Sequence, residues 1–269
     1  MADEASGPGV SEDPWQTLRA VTPARIALGR SGISQPTRHH LAFQLAHARA
    51  RDAVHSELDI TRLRQDLVEA DLESLVLSSA ATDRATYLRR PDLGRRLDQA
   101  SADLLAARGR AASDVVFVIA DGLSALAVQR HAAPLLRRIL AQIDRDGWRS
   151  GPLCIVRQGR VAIGDDIGQR LGAALAVILI GERPGLSSPD SLGVYLTWNP
   201  RLDATDAERN CISNIHAAGL TYDEAAQTLL YLMTEARRRR LSGVLLKDET
   251  QVTGGTTPAL DEASDGQPT

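Results

Sequence analysis

The chain has 269 residues, enough for one large domain, and its 43% hydrophobic and 24% charged residues exclude a wholly disordered protein. An aromatic content of 3% argues against a stacking platform for single-stranded nucleic acid, and two cysteines cannot form a disulfide framework or a four-thiolate zinc site. The net charge of −3 combines acidic ends with a mildly basic body, but 30 of the 31 basic residues are arginine, which indicates codon bias rather than nucleic-acid binding.

Both ends of the chain are predicted to be disordered tails. Residues 1–13 and 248–269 are rich in Gly, Pro, Ser, Thr, Asp and Glu, and they carry too few apolar groups to offset the entropy of ordering. The N-terminal stretch lacks the basic and apolar regions of a signal peptide, and the longest apolar run, 173–180, is too short to span a bilayer. We therefore expect a cytoplasmic protein with reduced thiols and no membrane contact.

Residues 14–110 are predicted to form a mostly helical N-terminal region. Apolar residues recur at roughly helical spacing over 36–58 and again over 61–77. A turn that contains Pro91 and Gly94 follows, and it precedes a third helix.

From residue 111 to residue 247 the pattern changes to alternating strands and helices. Short apolar runs predict buried strands at 115–120, 153–156, 175–180 and 193–198, and helices are expected at 125–143, 165–171 and 222–241. This rhythm is typical of an α/β fold with a parallel sheet flanked by helices. Because ligands bind beyond the carboxyl ends of such strands, the turns at 121–124, 157–166 and 181–186 are candidate binding loops.

Several common catalytic motifs are missing from the sequence. The strand–helix turns contain neither G-x-G-x-x-G nor the phosphate-binding P-loop, and Lys247 is the only lysine, which weakens a dehydrogenase or ATPase reading. Ser124 lies in D-G-L-S-A rather than in the nucleophile motif G-x-S-x-G. For Asp121, at the end of the first predicted sheet strand, capping of the next helix is favoured over a ligand contact.

The histidines do not predict a metal site. His40, His47 and His55 could share one side of a helix, but no glutamate is interleaved as in H-E-x-x-H, so solvated or capping roles are favoured. The segment from Asn214 to Gly219 differs by one residue from D-x-H-x-x-G, in which a histidine ligates the cobalt of cobalamin. Since Asn replaces the Asp that orients the imidazole, and the segment lies late in the sheet region, we predict that this chain supplies no histidine ligand.

Five segments occur in an order that resembles one known family. They are R-R-P-D-L-G-R-R at 89–96, I-A-D-G-L-S at 119–124, V-R-Q-G-R-V with D-D-I-G between 156 and 168, G-E-R-P-G-L at 181–186, and R-N-C-I-S-N-I-H at 209–216. Together they resemble the small (light) subunit of ethanolamine ammonia-lyase over about residues 15–246. G-E-R-P-G-L and C-I-S-N-I-H at this spacing are its most specific parts.

The resemblance implies a subunit of an adenosylcobalamin-dependent enzyme that converts ethanolamine to acetaldehyde and ammonia by radical chemistry, in ethanolamine catabolism. It implies that the partner is a TIM-barrel large subunit, which makes most of the contacts to the substrate. It also implies that several large–small pairs form a hetero-oligomer. Cobalamin would lie at the interface, against a Rossmann-like domain over residues 111–247. The acidic N-terminal stretch is shorter than in members that it targets to a bacterial microcompartment, so encapsulation stays open.

The resemblance assigns the cobalamin contacts of this subunit to Val161, Glu182 and Cys211. A glutamate can accept a hydrogen bond from an amide of the corrin rim, main-chain groups at a turn can face that rim, and a cysteine is small enough for close approach. Without the resemblance, the sequence favours a surface ion pair with Arg183 for Glu182 and an edge-strand core position for Val161 over a cofactor contact. For Cys211, a buried structural thiol fits the sequence as well as a cofactor contact does.

Two further residues, Arg160 and Asn214, are candidate neighbours of the nucleotide tail of cobalamin. No catalytic residue for the substrate chemistry is expected on this chain. Two alternatives remain at this point: a stand-alone nucleotide-binding α/β enzyme, and a scaffold subunit without cofactor contacts.

Overall fold

The computed structural model describes residues 9–68 and 74–249, and its centre is a six-stranded sheet. Most of the two predicted tails, residues 1–8 and 250–269, lies outside the described residues. The strands are β1 (Ser74–Ser78), β2 (Ser113–Ala120), β3 (Leu153–Arg157), β4 (Ala173–Gly181), β5 (Leu192–Trp198) and β6 (Arg209–Ile215). Their order across the sheet is β1-β3-β2-β4-β5-β6.

Seven α-helices are found in the described part of the chain. They are α1 (Thr37–His55), α2 (Ile60–Asp66), α3 (Arg84–Arg89), α4 (Gln99–Arg108), α5 (Ala125–Arg145), α6 (Ile163–Leu171) and α7 (Tyr222–Arg239). None of these helices is both long and apolar enough to cross a membrane.

Helices cover both faces of the sheet, which confirms the predicted α/β class. One core lies between the sheet and α2, α5 and α7, and a second core lies between the opposite face and α4 and α6. The central strands β2 and β4 are buried on both sides, and this explains why they are continuous apolar runs in the sequence.

The sheet is mixed, whereas the sequence analysis expected parallel strands. β1, β3, β2 and β4 are parallel, but β5 runs antiparallel to β4 and β6 runs antiparallel to β5. The link between β4 and β5 spans only residues 182–191 and contains no helix. A parallel crossover needs about a dozen residues or more, so the short link lets β5 pair with β4 only in the antiparallel direction.

Two of the six strands, β1 and β6, were not predicted from the sequence. β1 lies inside the segment predicted as a helix over 61–77, because leucines at 75 and 77 also fit a helical pattern; α2 ends at Asp66. β6 is an edge strand with mostly polar residues, and only Ile212 and Ile215 are buried. Short and polar edge strands protect a sheet from aggregation, but they give a weak sequence signal.

Candidate functional site

A cleft of about 1080 Å³ lies beside α6, over the strands β5 and β6. α5 and α7 cover the opposite face of this part of the sheet, while α6 packs over β4 and β2. Tyr195 of β5 pairs with Cys211 of β6, so their side chains share one face and form the floor of the cleft. Its walls come from the turns at 91–96, 160–162 and 202–206.

A second cavity of about 390 Å³ adjoins the first at the carboxyl ends of β2 and β4. It is lined by Gly122 and Glu182, and it shares Arg160, Val161 and Tyr195 with the larger cleft. The three residues assigned from the family resemblance therefore lie around these two adjoining cavities, which together we call the depression: Glu182 in the smaller cavity, Cys211 in the larger, and Val161 in both.

Val161 lies in the turn between β3 and α6, and it is half-buried against the core on the α6 side. The turn is held by the Arg160 N–H, which donates to the Gly94 carbonyl at 2.7 Å. A Cβ at Gly94 would lie 2.7 Å from the Arg160 Cγ, so glycine is needed for this close approach. The R-R-P-D-L-G-R-R motif thus supports the loop that carries Val161.

Glu182 follows β4 directly, and its side chain is fixed by two donors. The hydroxyl of Ser191 donates to Oε2 at 2.5 Å, and the backbone N–H of Asn214 donates to the same atom at 3.2 Å. A Cβ on Gly193 would lie 2.9 Å from Oε1, so the glycine leaves room for the carboxylate over β5. In the described residues Glu182 makes no ion pair with Arg183, although the isolated sequence favoured one.

Cys211 is solvent-exposed, whereas Cys154 is the buried thiol. The side chain of Cys211 lies beside that of Tyr195 on the paired strand. Partial enclosure in the cleft raises the pKa of the Cys211 thiol, and the Tyr195 hydroxyl opposes that shift. Cys211 is therefore a neutral, weakly polar group at neutral pH, and it adds no charge to the floor.

A buried ion pair lies below this floor and connects β6 to α6. Arg209 donates from Nε and Nη2 to Oδ2 of Asp165, at 3.0 and 2.6 Å, and both side chains are almost fully buried. Burial raises the pKa of Asp165, and the charge and hydrogen bonds of Arg209 oppose the shift. Arg209 also donates to the Ala204 carbonyl at 2.8 Å, so one side chain ties the strand, the helix and the 202–206 wall together.

Asp121 does not cap α5, contrary to the role favoured from the sequence. Ser124 caps that helix, because its Oγ accepts from the Ala127 N–H at 3.2 Å. The Asp121 carboxylate instead accepts from the N–H groups of Gln158 and Gly159, at 2.9 and 3.1 Å. Burial raises the pKa of Asp121, and these donors oppose the rise. Its role is to hold the end of β3 from which the Val161 turn begins.

Arg160 lines both cavities, and its guanidinium is held against Tyr87. Its guanidinium stacks 4.2 Å from the centre of the Tyr87 ring, and Nη2 donates to the Tyr87 carbonyl at 3.2 Å. Its Nε atom is buried and has no partner in the described residues. A buried donor without an acceptor is costly, so a rotation of this side chain that brings Nε to a ligand acceptor is favoured.

The histidines of α1 lie on the protein surface. The ring of His40 bonds to Gln44, and the ring of His47 bonds to the Phe43 carbonyl and meets the Phe43 ring edge to face. Within residues 9–68 and 74–249, no group of three His, Cys, Asp or Glu side chains is arranged to hold a metal ion.

Sequence reasoning missed three residues of this site: Tyr195, Ser191 and Arg209. The alternation along β5 could have singled out Tyr195, since Val194 and Leu196 are core residues and the tyrosine must face the other side. Arg209 occurs in a recognised motif, but no pattern predicts its buried partner. Ser191 can be identified only from the fold, because the 182–191 link forms a loop whose last residue, Ser191, lies next to Glu182.

Comparison with known proteins gives consistent matches over most of the chain. The sequence pattern described as ethanolamine ammonia-lyase light chain (EutC) matches residues 12–247. A protein of Pseudomonas fluorescens named ethanolamine ammonia-lyase small subunit is 59% identical over 244 residues, which cover 90% of this chain and 89% of the relative. Proteins with the same name from Azotobacter vinelandii and Ralstonia nicotianae are 59% and 58% identical, and each match covers 90% of this chain and 91% of the relative.

Proposed function

Because the chain belongs to the family of ethanolamine ammonia-lyase small subunits, we propose that it forms one wall of an adenosylcobalamin site whose other wall comes from the large subunit. The observation that carries the proposal is the convergence of Val161, Glu182 and Cys211. They belong to separate segments of the chain, yet they line two adjoining and open cavities.

The donor and acceptor set of the depression fits the cofactor. The corrin rim carries amides, which both donate and accept hydrogen bonds. Glu182 Oε1 accepts no hydrogen bond within the described residues and can take an amide N–H, and the buried Arg160 Nε lacks an acceptor. The neutral pair of Tyr195 and Cys211 lets a large macrocycle approach the sheet without desolvating a charge.

When bound, adenosylcobalamin supplies the radical that starts the conversion of ethanolamine to acetaldehyde and ammonia. The residues of this chain bind and orient: Glu182 and Arg160 hold the rim, and Val161 excludes water from one edge. We assign no catalytic role in the substrate chemistry to this chain. The proposed partner, a TIM-barrel large subunit, binds the substrate, and several large–small pairs assemble.

An exposed apolar surface on α1 supports association with a partner. Leu41 and Leu45 lie one turn apart on the same side of α1 and are 57% and 51% exposed, and neighbouring apolar side chains of this kind are typical of contact surfaces. Arg25 packs over the Phe43 ring at 5.8 Å and donates to the Leu186 carbonyl at 3.3 Å. Phe43 lies on another side of α1, and through Arg25 that side is linked to the 182–191 loop, beside the proposed cofactor site.

The test is reconstitution of the two-subunit enzyme. We expect the complex with the large subunit to release ammonia from ethanolamine only when adenosylcobalamin is added. Glu182→Gln should raise the cofactor concentration for half-maximal rate about tenfold, as expected for a lost hydrogen bond to a charged group. Asp144→Asn, an exposed carboxylate at the far end of α5, is the matched control and should change nothing. An unchanged cofactor requirement in Glu182→Gln would instead favour the scaffold role.

A further inference from the structure

Both protein donors to the Glu182 carboxylate bind the same oxygen atom. Ser191 Oγ and the Asn214 N–H converge on Oε2, at 2.5 and 3.2 Å. Oε1 receives no donor from any described residue, and a Cβ on Gly193 would lie 2.9 Å from it. The carboxylate therefore has one oxygen engaged with protein and the other available.

Ser191 is itself held in place from behind. It is buried, and its carbonyl accepts the backbone N–H of Glu182 at 3.0 Å. The preceding residue, Asp190, contacts the buried ring of His131 at 3.3 Å and the guanidinium of Arg130 at 2.9 Å. The serine hydroxyl thus approaches Glu182 from a fixed position rather than from a free loop.

Asn214 presents its N–H from a backbone conformation that few residues adopt. Its φ is +64°, in the left-handed region that asparagine tolerates better than most side chains. His216 stabilises the turn, because its Nε2–H donates to Asn214 Oδ1 at 2.8 Å while its Nδ1 accepts from the Ala218 N–H at 3.3 Å. A Cβ at Gly219 would lie 2.2 Å from the Asn214 carbonyl oxygen, so glycine is required there.

These contacts give the N-x-H-x-x-G segment a role within this chain. One turn is stabilised by the asparagine, the histidine and the glycine together. This turn directs the Asn214 N–H towards Glu182 Oε2. Ser191 and the turn at 214–219 come from two different connections of the fold, yet both end on Glu182 Oε2.

We propose that Ser191 and the turn at 214–219 are positioning elements for Glu182, which orient its carboxylate so that Oε1 accepts an N–H from a primary amide of the corrin rim. This inference rests on the proposed function. It also defines a selectivity, since a carboxylate in place of that rim amide would have no proton to donate and would repel Glu182.

The first experiment is a double-mutant cycle on the reconstituted complex, read out as adenosylcobalamin affinity by equilibrium dialysis. We expect Ser191→Ala to weaken binding about threefold alone, but by less than about 1.5-fold in the Glu182→Gln background, because its effect passes through the carboxylate. Equal losses in both backgrounds would show a merely structural role for Ser191 and overturn the inference.

A matched pair at position 214 tests the turn. Asn214→Gly retains the left-handed conformation and the N–H but loses the contact with His216, so its affinity should fall about twofold, whereas Asn214→Val also disfavours that conformation and should lose about fivefold. Equal affinities of the two variants would contradict the positioning role. If Asn214→Val fails to fold, as judged by thermal unfolding, Gly193→Ala replaces it. The added methyl group displaces Oε1 without removing a donor, and unchanged affinity there would contradict the inference.

The ligand chemistry is tested with cobalamins in which one rim amide is hydrolysed to a carboxylic acid. One such mono-acid should bind the unmodified complex at least about tenfold more weakly than cobalamin, and Glu182→Gln should recover most of that loss. If Glu182→Gln leaves cobalamin affinity itself unchanged, the proposed function fails together with the inference. If Glu182→Gln weakens binding but the Ser191, Asn214 and Gly193 variants do not, only the inference fails.

Discussion

Asp165 and Arg209 illustrate how single residues hold the floor of the cleft. The carboxylate is 2% exposed and would be strongly destabilising without a partner, and the guanidinium supplies two hydrogen bonds to one of its oxygens. Since Arg209 opens β6 two residues before Cys211, this pair fixes the position of the thiol relative to α6.

We predict that Arg209→Met destabilises the chain by about 3 kcal/mol near pH 8, because it leaves a buried charge unpaired. Burial already raises the pKa of Asp165, and removal of Arg209 raises it further. A raised native pKa gives stability at low pH that is lost as the pH rises through it, so the loss should be smaller near pH 5. Urea unfolding at both pH values measures this.

Arg238→Met is the control for that experiment. Arg238 is 65% exposed and pairs with Glu235 on the surface of α7, so its removal should lower the free energy of unfolding far less than Arg209→Met does, at either pH. A loss for Arg209→Met that is the same at both pH values would contradict a buried and titratable Asp165.

At the scale of elements, the site depends on how closely the ends of β2 and β4 approach each other. Gly122 follows β2 with a φ of +58°, and a Cβ on it would lie 2.3 Å from the Gly181 carbonyl oxygen. The D-G-L-S turn after β2 therefore packs tightly against the end of β4, directly beside Glu182.

We predict that Gly122→Ala destabilises the chain by more than Gly147→Ala. Both glycines have positive φ, at +58° and +69°, but Gly147 has open space around its missing side chain. Gly147→Ala should cost about 1 kcal/mol for the backbone strain, and Gly122→Ala at least about 2 kcal/mol more for the clash with β4. Urea unfolding gives both values, and equal losses would mean that the strand ends are not in contact.

The elements also show what the sequence could and could not predict. The buried runs of β2 and β4 and the amphipathic helix α5 are local patterns, and they were predicted correctly. The direction of β5 depends on a link too short for a crossover, and the polar edge strand β6 is stabilised by pairing rather than by its own hydrophobicity. At the site, Glu182 came from a family resemblance, whereas its partner Ser191 could be identified only from the fold.

At the scale of the whole molecule, the helices within the described residues cover both faces of the sheet except over the region of Tyr195 and Cys211. The depression there is open, and Phe43 of α1 is linked to its border through Arg25 and the 182–191 loop. Such an arrangement suits a chain that completes its binding site with a partner.

We predict that the two thiols respond differently to assembly. Iodoacetamide should alkylate Cys211 in the isolated chain. Because the thiolate is the reactive form and partial burial raises the pKa of this thiol, the rate should increase with pH through the alkaline range. Cys154 is fully buried, with a pKa raised to about 12, and serves as the internal unreactive control. Binding of the large subunit with cobalamin should slow the Cys211 reaction by at least about tenfold, since an enclosed thiol is poorly reactive. Mass spectrometry of the modified peptides measures this, and an unchanged rate would place the interface elsewhere.

The most direct test of the account is a cryo-EM map of the assembled enzyme with adenosylcobalamin bound. The account predicts that the corrin contacts Val161, Glu182 and Cys211, with Glu182 Oε1 at hydrogen-bond distance from a rim amide. A corrin enclosed entirely by the large subunit, away from the β5–β6 face of this chain, would contradict it.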